Sequence, residues 1–95
     1  MPICVLREQL ADYDTWKTGF DAHFDANAAE FANAGITLEA VYRDADDANA
    51  ILTTIRSASR EQGEAMLADP ASRAAMEANG TDLSTLRVEC YEDPS

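Results

Sequence analysis

The sequence predicts an α+β fold of order βαββαβ, with a four-stranded antiparallel sheet carrying its helices on one face. Three observations lead there. Residues 3–10 alternate as a strand does, an aromatic stripe at helical spacing runs from Tyr13 to Phe31, and after Gly35 the same strand and helix logic repeats to Tyr91.

In the first strand, Ile3 to Leu10, Cys4, Leu6 and Leu10 share one face, while Ile3, Val5, Arg7 and Gln9 take the other. Asp12 is a good N-cap for the helix that follows. Tyr13, Trp16, Phe20, Phe24 and Phe31 lie at steps of three, four, four and seven, so at 3.6 residues per turn they form one sheet-packing side. Gly35 suits the left-handed position that ends a helix, with Ile36 folding back onto Phe31, so one long helix is expected up to that glycine. Ile36, Leu38, Ala40 and Tyr42 then alternate with Thr37, Glu39, Val41 and Arg43 as a second strand. The acidic turn Asp44-Ala45-Asp46-Asp47-Ala48-Asn49 leads into a third strand, Ala50 to Ser57.

Ser59 followed by Gln62 fits a capping box, and Asp69-Pro70 breaks the second helical segment, with the proline opening a further short helix that ends at Asn79-Gly80. The last strand is expected from Ser84 to Tyr91, and Glu92 to Ser95 form a polar tail. Right-handed crossovers turn this order into a ferredoxin-like sheet with both helical segments on one side. The other face carries too many apolar side chains to meet water, so a second sheet from the same chain is the expected cover and a homodimer the expected partner. At 95 residues the chain is expected to be a single domain, residues 1–95, and dimerisation would enlarge its modest core.

Composition excludes several function classes. A net charge of −11, from 18 acidic against 7 basic residues, argues against nucleic acid and against anionic membranes as partners. No stretch approaches a membrane span, and Met1-Pro2-Ile3-Cys4-Val5 lacks the layout of a secretion signal, so a cytoplasmic location is expected. Cys4 and Cys90 lack metal or redox spacing and read as buried thiols. Asp44, Asp46, Asp47 and Asn49 alternate oxygen ligands as a calcium loop would, without the central Gly and distal Glu; a solvated turn is the better reading and no metal is expected.

Several segments resemble the dimeric α+β barrel superfamily, which holds antibiotic-biosynthesis monooxygenases, small polyketide cyclases and many short bacterial proteins without assigned roles. They are Asp12-Tyr13-Asp14-Thr15-Trp16 with Phe20-Asp21 and His23, then Gly35-Ile36, Val41-Tyr42-Arg43-Asp44 with Asp46-Asp47 and Asn49, and the helix end from Met76 to Gly80. The resemblance spans nearly the whole chain and is greatest to the short uncharacterised branch, some of whose members are labelled cyclases. It implies a dimeric barrel and cofactor-free chemistry in the cleft between helices and sheet. Monooxygenases of the group use Trp, Asn and Tyr side chains there, and cyclases a His and Tyr pair. No motif places either set on this chain residue by residue.

The residues themselves suggest a site. His23 is the only histidine; it stands seven residues after Trp16 and four before Asn27, in one narrow sector beside the aromatic stripe. A neutral imidazole there could take a proton from an acidic carbon or a phenol; alternatively it is a half-exposed side chain beside Glu30 or Asp21. Trp16 offers a wall for stacking, Phe20, Phe24 and Leu38 further apolar lining, and Asn27 or Tyr42 a hydrogen bond to a developing enolate. Core packing, solvent contact and a dimer interface are the respective structural alternatives. Arg7, Gln9 and Arg56 either line the barrel interior or pair with acidic neighbours. The leading expectation is therefore a cyclase or isomerase that needs no cofactor and acts on a small apolar or aromatic natural-product intermediate. A cofactor-free monooxygenase and a non-catalytic binding or assembly protein are the alternatives.

Overall fold

In the computed structural model, which describes residues 2–92, the elements run β1 (Ile3–Leu10), α1 (Tyr13–Ala26), α2 (Ala28–Asn33), β2 (Thr37–Arg43), β3 (Ala50–Arg56), α3 (Arg60–Ala68), α4 (Pro70–Ala78) and β4 (Thr81–Tyr91). The strands form one antiparallel sheet in the order β2-β3-β1-β4, which is the ferredoxin-like topology. Of the expected polar tail, residues 93–95 lie outside the described residues.

Local signals set most boundaries. The Asp12 side chain accepts from the Thr15 amide at 3.0 Å, and that of Ser59 from the Gln62 amide at 3.1 Å. Gly35 has φ +72°, with its amide bonded to the Ala32 carbonyl and that of Ile36 to the Phe31 carbonyl at 2.8 Å, both bonds of a Schellman motif. Asp69 is extended and Pro70 opens α4.

Four expectations are corrected. The first long helix is interrupted at Asn27, whose amide and side-chain Nδ2 both donate to the His23 carbonyl, at 3.1 and 2.9 Å; the carboxamide competes for a carbonyl that a regular helix shares with one amide. β4 begins at Thr81, earlier than expected, because Leu10 pairs with Thr81. A bulge at Glu39 lets β2 shift register, so Leu38 pairs with Ile55 and faces the helices while Tyr42 pairs with Leu52 on the opposite face. Cys4 and Cys90 are not free thiols: β1 and β4 are neighbours, the two residues are Cα partners, and they form a disulfide.

The helix-facing side of the sheet holds two apolar clusters. One comprises Cys4, Leu6, Ile36, Ile55 and Leu67, with Phe31, Leu38, Met66 and Met76 packed against it. The other comprises Leu10, Trp16 and Ile51, with Tyr13, Phe20 and Val41. The open side of the sheet shows Val5, Leu52 and Tyr42 among polar groups, with Tyr42 60 % exposed.

The acidic turn is a hydrogen-bonded structure in its own right. Asp44 Oδ1 accepts from the amides of Asp46 and Asp47, and Asp47 Oδ1 from that of Asn49. Asn49 Oδ1 in turn accepts from the Tyr13 amide at 2.9 Å, tying the β2–β3 turn to the start of α1. Gln9 reaches the same turn through Asp47 and the Asn49 carbonyl, whereas Arg7 lies on the open face 4.0 Å from Glu89 and Arg56 bonds Glu39.

Candidate functional site

The two apolar clusters are separated on the sheet by a polar pair. Along β1, Leu6 belongs to one cluster and Leu10 to the other, with Glu8 between; along β3, Ile55 and Ile51 do the same, with Thr53 between. Because Glu8 pairs with Ile51 and Leu6 with Thr53, Glu8 and Thr53 are diagonal neighbours on one face. Both are almost completely buried, Glu8 at 6 % and Thr53 at 3 % exposure. Glu8 Oε2 and Thr53 Oγ1 have no hydrogen-bond partner among the described residues. Burial pushes the Glu8 carboxyl up from 4.5 to about 7, since the charged form loses its water and gains no compensating donor. On its other side the β1–β4 ladder jumps from Arg7–Arg87 to Gln9–Asp82, so residues 83–86 of β4 stand opposite Glu8 alone.

Above this pair lies a cavity of about 70 Å³, enclosed by aromatic and aliphatic side chains. α1 supplies one wall as an aromatic ladder. Trp16 stacks on Phe20 with centroids 4.6 Å apart, Phe20 meets Phe24 at 4.7 Å, and Phe24 meets Phe31 of α2 at 4.6 Å. α3 and α4 supply the other wall through Met66, Leu67, Ala75 and Met76, with Asn79 at the end of α4. The Asn79 carboxamide occupies the space that a Cβ on Gly19 would take, which is why α1 is bare there.

Beside the cavity lies a larger groove of about 510 Å³, and His23, Phe31, Met66 and Ser72 line both. The inner part alone is under half the volume of a cavity of roughly 150 Å³ known to admit benzene. A ring entering it therefore needs movement of a flexible side chain such as Met66 at the junction. The groove carries Glu30 and Asp69 and no lysine or arginine among its lining residues. Its mouth therefore disfavours anions, in keeping with the overall charge.

Of the residues singled out from sequence, Trp16, Phe20, Phe24 and His23 come together on the inner cavity. His23 is half-buried with its ring edge-on to Phe31 at 5.8 Å, and its Nδ1 stands 3.4 Å from Asn27 Nδ2. Asn27 reaches only the outer groove, its Nδ2 occupied by the His23 carbonyl. Leu38 packs against the first apolar cluster without lining the cavity. Tyr42 is on the wrong side of the sheet to meet a ligand held here, a consequence of the bulge at Glu39. Glu8, Thr53, Met66 and Asn79 line the cavity as well, without belonging to the aromatic stripe or its histidine sector. The strand alternation itself contained the signal for Glu8, which falls on the face of Cys4, Leu6 and Leu10.

Among the described residues no group of three or more His, Cys, Asp or Glu side chains could hold a metal ion, and no helix is long and apolar enough to cross a membrane. No protein-family model matches the chain, and no curated protein matches it significantly. Solved structures do share the fold. A candidate antibiotic biosynthesis monooxygenase from Deinococcus radiodurans superposes with a TM-score of 0.64 at 20 % identity, covering 100 % of this chain and 94 % of that one. SnoaB, a cofactor-independent oxygenase from Streptomyces nogalater, gives 0.64 at 18 % identity over 99 % and 93 % of the two chains. A candidate antibiotic biosynthesis monooxygenase from Nitrosomonas europaea gives 0.63 at 11 % identity over the whole of both.

Proposed function

We propose that this protein is an enzyme that needs no cofactor and removes a proton from a small, largely apolar, aromatic or enolisable molecule held between its helices and sheet. The observation that carries the reading is the apolar cavity walled by Trp16, Phe20, Phe24 and Phe31, which shares His23 with the outer groove. Such a pocket excludes water from a carbanion or phenolate and offers flat faces to a ring. His23, touching both compartments, is the group able to pass a proton between the enclosed space and the open groove.

The carbanion's next partner decides the reaction class. Attack on dioxygen gives cofactor-independent oxygenation, the activity named for SnoaB, and the shared fold makes this the first reading. Closure onto a carbonyl of the same molecule gives a cyclase, and the outer groove of about 510 Å³, roomier than a single ring requires, favours it as the second. We also propose that the open sheet face pairs with a second copy to form a dimeric barrel, covering Val5, Leu52 and Tyr42.

The test is oxygen uptake with a panel of anthrones and hydroquinones beside product analysis of poly-β-ketone analogues. Oxygen consumed one-for-one with a new ring carbonyl supports oxygenation, and oxygen-independent ring closure supports the cyclase. Saturable binding of the same compounds without turnover would replace both with a binding role. Full turnover by His23→Ala would remove the histidine from the mechanism.

A further inference from the structure

The apolar wall explains how a ring is held but leaves the polar floor of the same cavity without a task. We propose that Glu8 and Thr53 form a recognition and proton-transfer subsite that takes the hydroxyl or carbonyl end of an uncharged aromatic or enolisable ligand at the sheet surface. The proton-transfer half rests on the enzymatic reading above, whereas the recognition half stands on geometry alone.

Two buried polar side chains sit side by side, each with an oxygen that no described protein group satisfies, at the one place where the apolar core is divided. Native interiors rarely leave such atoms unpaired, because each orphan costs on the order of 1–3 kcal/mol. A leucine and a valine at these positions would have joined the two clusters. Both residues line the cavity, so a ligand entering past His23 would meet them at its inner end. The long irregularity of β4 opposite Glu8 removes a regular ladder neighbour from that side.

The chemistry follows from the donor and acceptor inventory. A protonated Glu8 donates to a ligand carbonyl and an ionised one accepts from a hydroxyl, while the Thr53 hydroxyl does either. In the proton-transfer step a lone pair on Glu8 Oε2 forms a new O–H bond as the ligand's O–H, or its C–H beside a carbonyl, breaks. The bonding electrons remain on the ligand as phenolate or enolate, and the Thr53 hydroxyl donates to the developing oxyanion. The carboxyl's raised pKa, about 7, suits a group that both takes and returns a proton near neutrality. The other titratable side chain lining this cavity is His23; α3 and α4 present only uncharged groups to it. A ligand carboxylate is disfavoured by Glu30 and Asp69 at the mouth, and also by Glu8 inside once that carboxyl ionises above about pH 7.

Trp16 is the only tryptophan and lines the cavity, so its fluorescence reports occupancy. Phenol and toluene, a pair of equal size, and the larger anion benzoate should be titrated against wild type, Glu8→Gln and Thr53→Val from pH 5 to 9. The expected result is phenol bound roughly tenfold or more tighter than toluene, benzoate bound more weakly above about pH 7 than below it, and phenol affinity changing with a midpoint near that of Glu8. In Glu8→Gln the pH dependence should vanish for phenol and for benzoate. In Thr53→Val the preference for phenol over toluene should shrink while the pH dependence stays. The proposal is overturned if the probes do not perturb Trp16, or if either variant binds all three as wild type does. Turnover with an unaltered pH profile in Glu8→Gln would sink the proton-transfer half and leave the enzyme reading intact. The expected binding pattern without turnover by any variant would sink the enzyme reading and leave the recognition subsite standing.

Discussion

Glu8 makes the stability of this protein depend on pH in a direction opposite to that of a salt-bridged carboxylate. In the folded chain burial lifts its carboxyl from 4.5 to about 7, so between those values the native state keeps a proton that the unfolded state has already released. Its contribution is therefore fully present below about pH 4.5 and is lost as pH rises through about 7. The difference of about 2.5 pK units, at about 1.4 kcal/mol per unit, amounts to about 3.5 kcal/mol. Glu8→Gln keeps the shape and removes the titration. Urea unfolding of both proteins from pH 4 to 9 should give curves whose difference changes by about 3.5 kcal/mol, the variant gaining on wild type toward high pH. Titrating groups distant from the cavity contribute equally to both proteins and cancel in the difference. Parallel stability curves across the window would refute the argument, because they would mean that Glu8 is solvated or paired in the folded state.

Three further outcomes follow from the geometry. Gly35→Ala should destabilise by about 1–3 kcal/mol in thermal or urea unfolding, since φ is +72° and the new Cβ would stand 2.8 Å from that of Ala58. Gly19→Ala should leave stability within about 1 kcal/mol, because the gain in helix propensity offsets the displacement of the Asn79 side chain, yet it should alter ligand-induced quenching of Trp16. Leu52→Glu, on the open sheet face opposite Tyr42, should lower the apparent mass in sedimentation to that of one chain if two copies pair there; an unchanged mass would place the contact elsewhere.

What could be read from sequence was whatever a single chain segment decides for itself. Asp12 and Ser59 cap their helices, Gly35 ends one, and Pro70 starts another, each through bonds within a few residues. What could not be read depends on partners distant in the chain or on competition between equal local choices. Asn27 interrupts the first helix because its carboxamide takes the His23 carbonyl, yet an asparagine beside an aromatic stripe can also face water and leave the helix whole. Tyr42 changed faces because of one extra residue at Glu39, and no alternation pattern reveals a bulge. Cys4 and Cys90, separated by 86 residues, meet only because the first and last strands are neighbours.

Glu8 is a different case, because its face was legible by parity. A carboxylate between Leu6 and Leu10 on the buried side contradicts the pattern that builds the strand, as Thr53 does between Ile51 and Ile55. Local rules are expected to fail where function imposes a cost on the fold. Here two such failures lie on adjacent strands beneath one cavity, which gives their shared position more weight than either has alone. His23 and Trp16 drew attention as unusual side chains, but tryptophan and half-buried histidine are ordinary tenants of an aromatic core. An unpaired buried carboxyl is not, and the search for this protein's chemistry is better begun at the sheet than at the helix.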